Sequence, residues 1–266
     1  MSWTLERLRD PASCERLIRE TNAFIQFAYT RENTLARRTY VSEFTEVETF
    51  AFALQCPGGT ATRHLPGFTA NEVPPSLMAL SLEVADRLSL KQGRVLFNVG
   101  RYFEHCGPIV PHYDGELFDY EIEAGVRNHV HSGIRPREVA ILTLRDETWT
   151  GGTRLHDASG GIVSPPVQVG DLLRFDNVLY QHGVPDPERA TGARGDESMP
   201  ARFIRYTLGW RALDENCFDW RGDEPLRPIE IEEAIGLHER FLREQWPHQS
   251  ATDVARGTFP FPEARA

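Results

Sequence analysis

A mainly β fold with flanking helices is what this sequence predicts, and three observations carry the expectation. From Arg94 onward, short runs rich in β-branched and aromatic residues alternate with turn residues. Ahead of them stand two stretches whose apolar residues recur at helical spacing, and a third follows. The chain has 266 residues, 40% of them hydrophobic and 26% charged, enough apolar surface to bury a sizeable core.

The elements follow in order. Asp10-Pro11 reads as an N-cap with proline in the first turn, opening a helix over Ala12 to Ala28 that places Leu17, Ile18, Phe24 and Ile25 near one stripe. Met1 to Arg9 carries alternating polar residues and is assigned no element. Thr39 to Phe44 and Val47 to Leu54 are separated by a turn-length gap and read as a hairpin. Ser76 to Leu90 spaces Leu77, Leu80, Val84 and Leu88 as a helix that Gly93 stops. Eight strands are expected next: Arg94 to Phe103, Ile109 to Tyr113, Glu138 to Leu144, Thr153 to His156, Ile162 to Val169, Leu172 to Asp176, Val178 to Gly183 and Arg202 to Arg211. A helix over Glu230 to Gln245 closes the pattern. So many short strands in succession require a β sandwich or jelly roll, buttressed by the helices. With no linker-like composition or repeat, residues 1–266 read as one domain: 1–93 an N-terminal part, 94–211 the β core and 212–266 a C-terminal helical extension. Gly115 to Arg137 and Pro185 to Pro200 read as long loops.

Composition excludes some functions. Lys and Arg number 29 against 39 Asp and Glu, a net charge of −10, the wrong sign for tracking phosphates, so nucleic acid is not an expected partner. No apolar run approaches the length of a membrane span, and no secretory h-region stands at the start, so a cytoplasmic location is expected. Cys14, Cys56, Cys106 and Cys217 are scattered, with no CxxC pair, and read as buried free thiols.

The chemistry centres on Pro111-His112-Tyr113-Asp114. On a strand, residues two apart share a side, so His112 and Asp114 can offer an imidazole and a carboxylate to one ion. With nine histidines in the chain, one such spacing arises by chance about half the time, so context must decide. His182, near the end of a separate strand, is the best third ligand; its bland alternative is a histidine hydrogen-bonded at a strand end. Two histidines and a carboxylate on one side of an ion leave the opposite side open, the arrangement of non-haem iron oxygenases.

Four ordered segments then make a specific resemblance: Asn98 through Tyr102 to His112-Tyr113-Asp114, Gly151-Gly152-Thr153, Gly170-Asp171-Leu172-Leu173-Arg174-Phe175-Asp176-Asn177, and His182-Gly183-Val184. Over residues 94–211 the chain resembles the iron(II)/2-oxoglutarate-dependent oxygenase superfamily, and within it the prolyl-hydroxylase-like branch. The resemblance implies a double-stranded β-helix (jelly roll, cupin-like) core, Fe(II) held by His112, Asp114 and His182, and 2-oxoglutarate as cosubstrate. It further implies that Arg205, with Thr207 two positions on, meets the remote carboxylate of 2-oxoglutarate and that Tyr102 contacts the same cosubstrate. A guanidinium suits a carboxylate bidentately. Arg202 competes for that role but lies three positions away, on the other side of a strand; the distance from His182 to Arg205 is longer than the family's usual spacing. Trp210, opposite Arg205 in facing, reads as packing.

Because Asp114 retains its carboxylate, the resemblance favours hydroxylation or another outcome of hydrogen abstraction over halide transfer. The expected partners are dioxygen and a polar small molecule such as an amino acid or natural-product intermediate, with succinate and CO2 as coproducts. Glu116, Arg127, His129 and His131 are the candidate substrate contacts. A protein side chain as substrate stays open. Two readings from other classes stand beside this one: a cupin-like metal or ligand binder without turnover, and a zinc hydrolase using the same ligands.

Overall fold

The computed structural model describes residues 3–29, 36–42, 45–56, 60–61, 73–90, 93–103, 109–114, 120–122, 126–128, 134–147, 152–185, 203–219, 226–234 and 236–237. Strand β1 (Trp3–Arg7) leads into helix α1 (Pro11–Tyr29), then β2 (Ala36–Ser42), β3 (Thr45–Cys56), β4 (Thr60–Ala61) and α2 (Pro75–Arg87). There follow β5 (Gly93–Phe103), β6 (Ile109–His112), β7 (Tyr120–Ile122), β8 (Val126–Asn128), β9 (Ile134–Arg135), β10 (Glu138–Asp146) and β11 (Arg154–Asp157). The remaining strands are β12 (Ile162–Val163), β13 (Asp171–Asp176), β14 (Tyr180–Val184), β15 (Phe203–Leu213), β16 (Phe218–Asp219) and β17 (Arg227–Pro228).

Two sheets organise the β core. The larger has the order β1-β13-β10-β15-β5-β3-β2 and the smaller β12-β11-β14-β6. From β5 to β15 the chain passes back and forth between them: β5, β10, β13 and β15 lie in the larger sheet and β6, β11, β12 and β14 in the smaller. Antiparallel pairing throughout this passage makes the core a double-stranded β-helix, as the sequence implies.

The helices cover the outer face of the larger sheet. Asp10 caps α1, its carboxylate accepting the Ser13 N–H at 2.9 Å. Leu17, Ile18 and Phe24 of α1 and Leu77, Leu80 and Val84 of α2 join Phe97, Val99, Leu142, Leu208 and Trp210 in one buried cluster. Trp210 is fully buried, stacks at a tilt on Phe97 with centroids 5.6 Å apart, and donates its indole N–H to Ser81 Oγ at 2.8 Å. Burying a side chain of this size contributes about 1.5–3 kcal/mol. On the inner face a second cluster, Val139, Leu155, Leu173 and Phe175, fills the space toward the smaller sheet.

Several expectations need correction. The N-terminus does form an element: β1 pairs antiparallel with β13 and rests Trp3 and Leu5 on the inner cluster, a register set by a partner far along the chain. The expected strand over Ile162 to Val169 ends at Val163, because Pro165 and Pro166 cannot continue a ladder. Strand β14 starts at Tyr180, since Asp176 Oδ1 accepts the Val178 N–H at 2.8 Å and turns the chain first. The stretch read as a single long loop from Gly115 contains the β7–β8 hairpin and β9. Residues 231–234 and 236–237 are helical, and the rest of the expected C-terminal helix lies outside the described residues. Cys14 and Cys217 are buried free thiols as expected.

Candidate metal and cosubstrate site

The smaller sheet brings the two histidines together. His112 ends β6 and His182 lies in β14, and the two are paired residues of that antiparallel ladder. Their rings stand 4.3 Å apart between centroids, and Phe175 packs on His182 at 5.0 Å. Asp114 follows two residues beyond His112. One ligand atom from each of His112, Asp114 and His182 lies within 4.8 Å of the others, the geometry of a site for one cation. Gly183 lets the strands close: a Cβ there would stand 2.7 Å from the Ile109 carbonyl oxygen.

Electrostatics prepare this cluster. Burial pushes the His182 imidazole down to about 3, and the neighbouring His112 adds to the shift, so the ring is neutral and its lone pair is available to a cation. Burial alone would raise the Asp114 carboxyl, but the Arg211 guanidinium above all holds it below the usual range. Arg211 Nη2 stands 2.7 Å from Asp114 Oδ1. Asp114 is 6% exposed and His182 8%, so both charges and lone pairs act in a medium poorer than water.

Behind the cluster, β15 presents two faces of opposite character. Tyr206, Leu208 and Trp210 point into the helix-side core, whereas Arg205, Thr207, Gly209 and Arg211 share the inner side. Arg205 is 1% exposed. Its Nη2 donates to Thr153 Oγ1 at 2.8 Å, its Nε lies 3.5 Å from Asp146 Oδ2, and its guanidinium carbon sits 4.9 Å from the Tyr102 ring centroid. Its Nη1 has no hydrogen-bond partner among the described residues. A buried guanidinium with an unspent donor fits an incoming carboxylate.

Register explains why these side chains meet. Arg205 pairs with Tyr102 and Thr207 with Gly100 across β15 and β5. Gly100 leaves room for the Thr207 hydroxyl: a Cβ there would lie 2.6 Å from Thr207 Oγ1 and 3.2 Å from the Tyr102 ring. Arg205 is also near enough to His182 to depress the imidazole's protonation further.

Of the residues the sequence singles out, His112, Asp114 and His182 come together, and so do Arg205, Thr207 and Tyr102. Trp210 is packing. Glu116, His129, His131 and Arg202 lie outside the described residues, and of Arg127 only the backbone, in β8, is described. Sequence reasoning missed Arg211, although period two from Arg205 and Thr207 places it on the same side. It also missed Asp146, which braces Arg205 from β10, and gave no role to Asn177.

The fold and the site together define a double-stranded β-helix carrying a cluster of two histidines and an aspartate backed by a buried arginine. No family model matches the chain, and no curated protein matches it. Among solved structures it is similar to a prolyl-4-hydroxylase from Pseudomonas putida, with 14% identity over 83% of this chain and 94% of that one, at a TM-score of 0.38. It is also similar to SnoK, a non-haem α-ketoglutarate-dependent carbocyclase of nogalamycin biosynthesis, with 11% identity, 86% and 89% coverage and a TM-score of 0.47. A third is a prolyl hydroxylase of Trichoplax adhaerens, solved with a hypoxia-inducible-factor peptide: 13% identity, 79% and 83% coverage, TM-score 0.43. Identities and scores are low, so the functional reading rests on this chain's own side chains.

Proposed function

We propose that this protein is an Fe(II)/2-oxoglutarate-dependent dioxygenase that hydroxylates an unactivated C–H bond of a polar small molecule, such as an amino acid or natural-product intermediate. One observation carries the reading: a two-histidine, one-carboxylate cluster, with His112 half-buried and Asp114 and His182 buried, stands near a buried arginine that has an unspent donor. A simple metal binder has no use for that guanidinium. His112, Asp114 and His182 would hold the iron from one side. Arg205 and Thr207 would bind the far carboxylate of 2-oxoglutarate, with Tyr102 against it.

Bound together, the iron and 2-oxoglutarate supply the oxidising power for C–H hydroxylation, with succinate and CO2 as coproducts. The chain's own residues do the positioning. His182 stays unprotonated at neutral pH because of its burial, so no proton competes for its lone pair. Arg205 is fixed in advance by Thr153 and Asp146, so little side-chain entropy is lost when a carboxylate arrives. Phe175, itself buried, packs its ring on His182 and gives that ligand an apolar neighbour.

The test is anaerobic addition of Fe(II) and 2-oxoglutarate, watching for the weak visible charge-transfer band of the chelate. Wild type should show it and His182→Ala should not. No band in wild type would refute the proposal, and a band surviving His182→Ala would reassign the third ligand.

A further inference from the structure

Asp114 is held from two directions by groups that are not themselves candidate ligands. At the side-chain end, Arg211 takes Oδ1. At the backbone, Asn177 is fully buried and uses both ends of its amide: the Asp114 N–H donates to Asn177 Oδ1 at 2.8 Å, and Asn177 Nδ2 donates to the Asp114 carbonyl at 2.9 Å. The second hydrogen on Nδ2 goes to the Pro136 carbonyl at 2.8 Å, so both amide donors are spent. The Asn177 N–H in turn donates to the Arg137 carbonyl at 2.7 Å. One side chain thus ties the segment after β6 to the entry of β10 and to the end of β13.

The Asn177 amide meets both backbone polar groups of Asp114. Asp114 lies two residues past the end of β6, in a β-bridge, and is buried, so its N–H and C=O need partners. The Asn177 amide satisfies both and fixes the backbone from which the carboxylate projects. With the backbone set at one end and Oδ1 engaged at the other, the direction of the remaining oxygen follows.

We propose that Asn177 is a positioning residue for Asp114: it presets the carboxylate to meet a divalent cation together with His112 and His182. The inference rests on the ligand assignment proposed above. Removing an outer partner of this kind costs 10–100-fold in metal affinity.

The experiment is a titration of the metal-free protein with Mn(II), reading the free ion by electron paramagnetic resonance, for wild type, Asn177→Ala and Asn177→Asp. The aspartate keeps the size and one acceptor but loses both donors. Both variants should bind Mn(II) about 10–100-fold more weakly per folded molecule, the folded fraction being taken from thermal melts. Lowered melting with Mn(II) affinity within threefold of wild type would mean that Asn177 braces the fold only, and would overturn the proposal.

A measurement on wild type keeps the claim testable if neither variant folds. The Asp114 amide of the metal-free protein should exchange its hydrogen at least about 100-fold more slowly than an unstructured amide; unprotected exchange would overturn the proposal. Wild type that binds no Mn(II) while keeping that protection would instead sink the ligand assignment, and the positioning role with it.

Discussion

Replacing Arg205 probes the cosubstrate side of the site most directly. The guanidinium is 1% exposed and its Nη1 has no hydrogen-bond partner among the described residues. Two charge-assisted hydrogen bonds to a carboxylate, at about 1.5–3 kcal/mol each, sum to about 3–6 kcal/mol. That is roughly a 10²- to 10⁴-fold rise in the dissociation constant of 2-oxoglutarate for Arg205→Met. Arg205→Lys keeps the charge but loses the fork and should lose about tenfold. The substitution to Met also takes one partner each from Thr153 and Asp146, so the melting midpoint should fall by the equivalent of about 1–3 kcal/mol. Anaerobic titration of the Fe(II)-loaded protein with 2-oxoglutarate, read by the charge-transfer band, measures the first effect and a thermal melt the second. A folded Arg205→Met protein that binds 2-oxoglutarate within threefold of wild type would refute the argument.

Three further outcomes are expected. In Gly100→Ala the new methyl meets Thr207 Oγ1 at 2.6 Å and presses on Tyr102, so 2-oxoglutarate affinity should fall at least tenfold, checked by the same titration. Phe97→Ala empties space beneath Trp210 and should destabilise by about 3–5 kcal/mol in urea unfolding; a midpoint near wild type would show that the outer cluster repacks freely. Burial raises the Cys14 thiol to about 11 and Cys217 to about 12 from an ordinary 9.0. Raised folded-state values favour the folded state below pH 9, and that contribution is lost as pH rises through 11 to 12. Unfolding midpoints should therefore decline across that window, and less in the Cys14→Ala, Cys217→Ala double variant.

Much of this architecture was legible because its signals are local. The α1 stripe and its Asp10 cap, the α2 periodicity and the alternation along β15 each sit within one element, where side-chain direction follows from backbone period. The His112 and Asp114 spacing is of that kind, the need for a third ligand on a separate strand pointed to His182, and the resemblance supplied Arg205. What stayed hidden depends on partners remote in the chain. Strand β1 offers a polar, short sequence whose only strong preference is the β13 edge it pairs with, over 160 residues on. The Asn177 amide is equally uninformative by itself: an Asn after Asp176 reads as a turn residue, and only the approach of a segment 63 positions earlier turns it into a backbone partner. Arg211 could have been found by extending the period of two from Arg205, but nothing local says that Asp114 waits opposite.

Strand β15 has a further consequence. Its odd-numbered positions furnish guanidinium and hydroxyl groups to the cleft, while its even-numbered ones anchor the helices. Inserting or deleting a single residue within it would drive two cations among the greasy side chains of α1 and α2 and turn an indole toward His112, Asp114 and His182. Change in this ribbon is therefore confined to exchanges at fixed length.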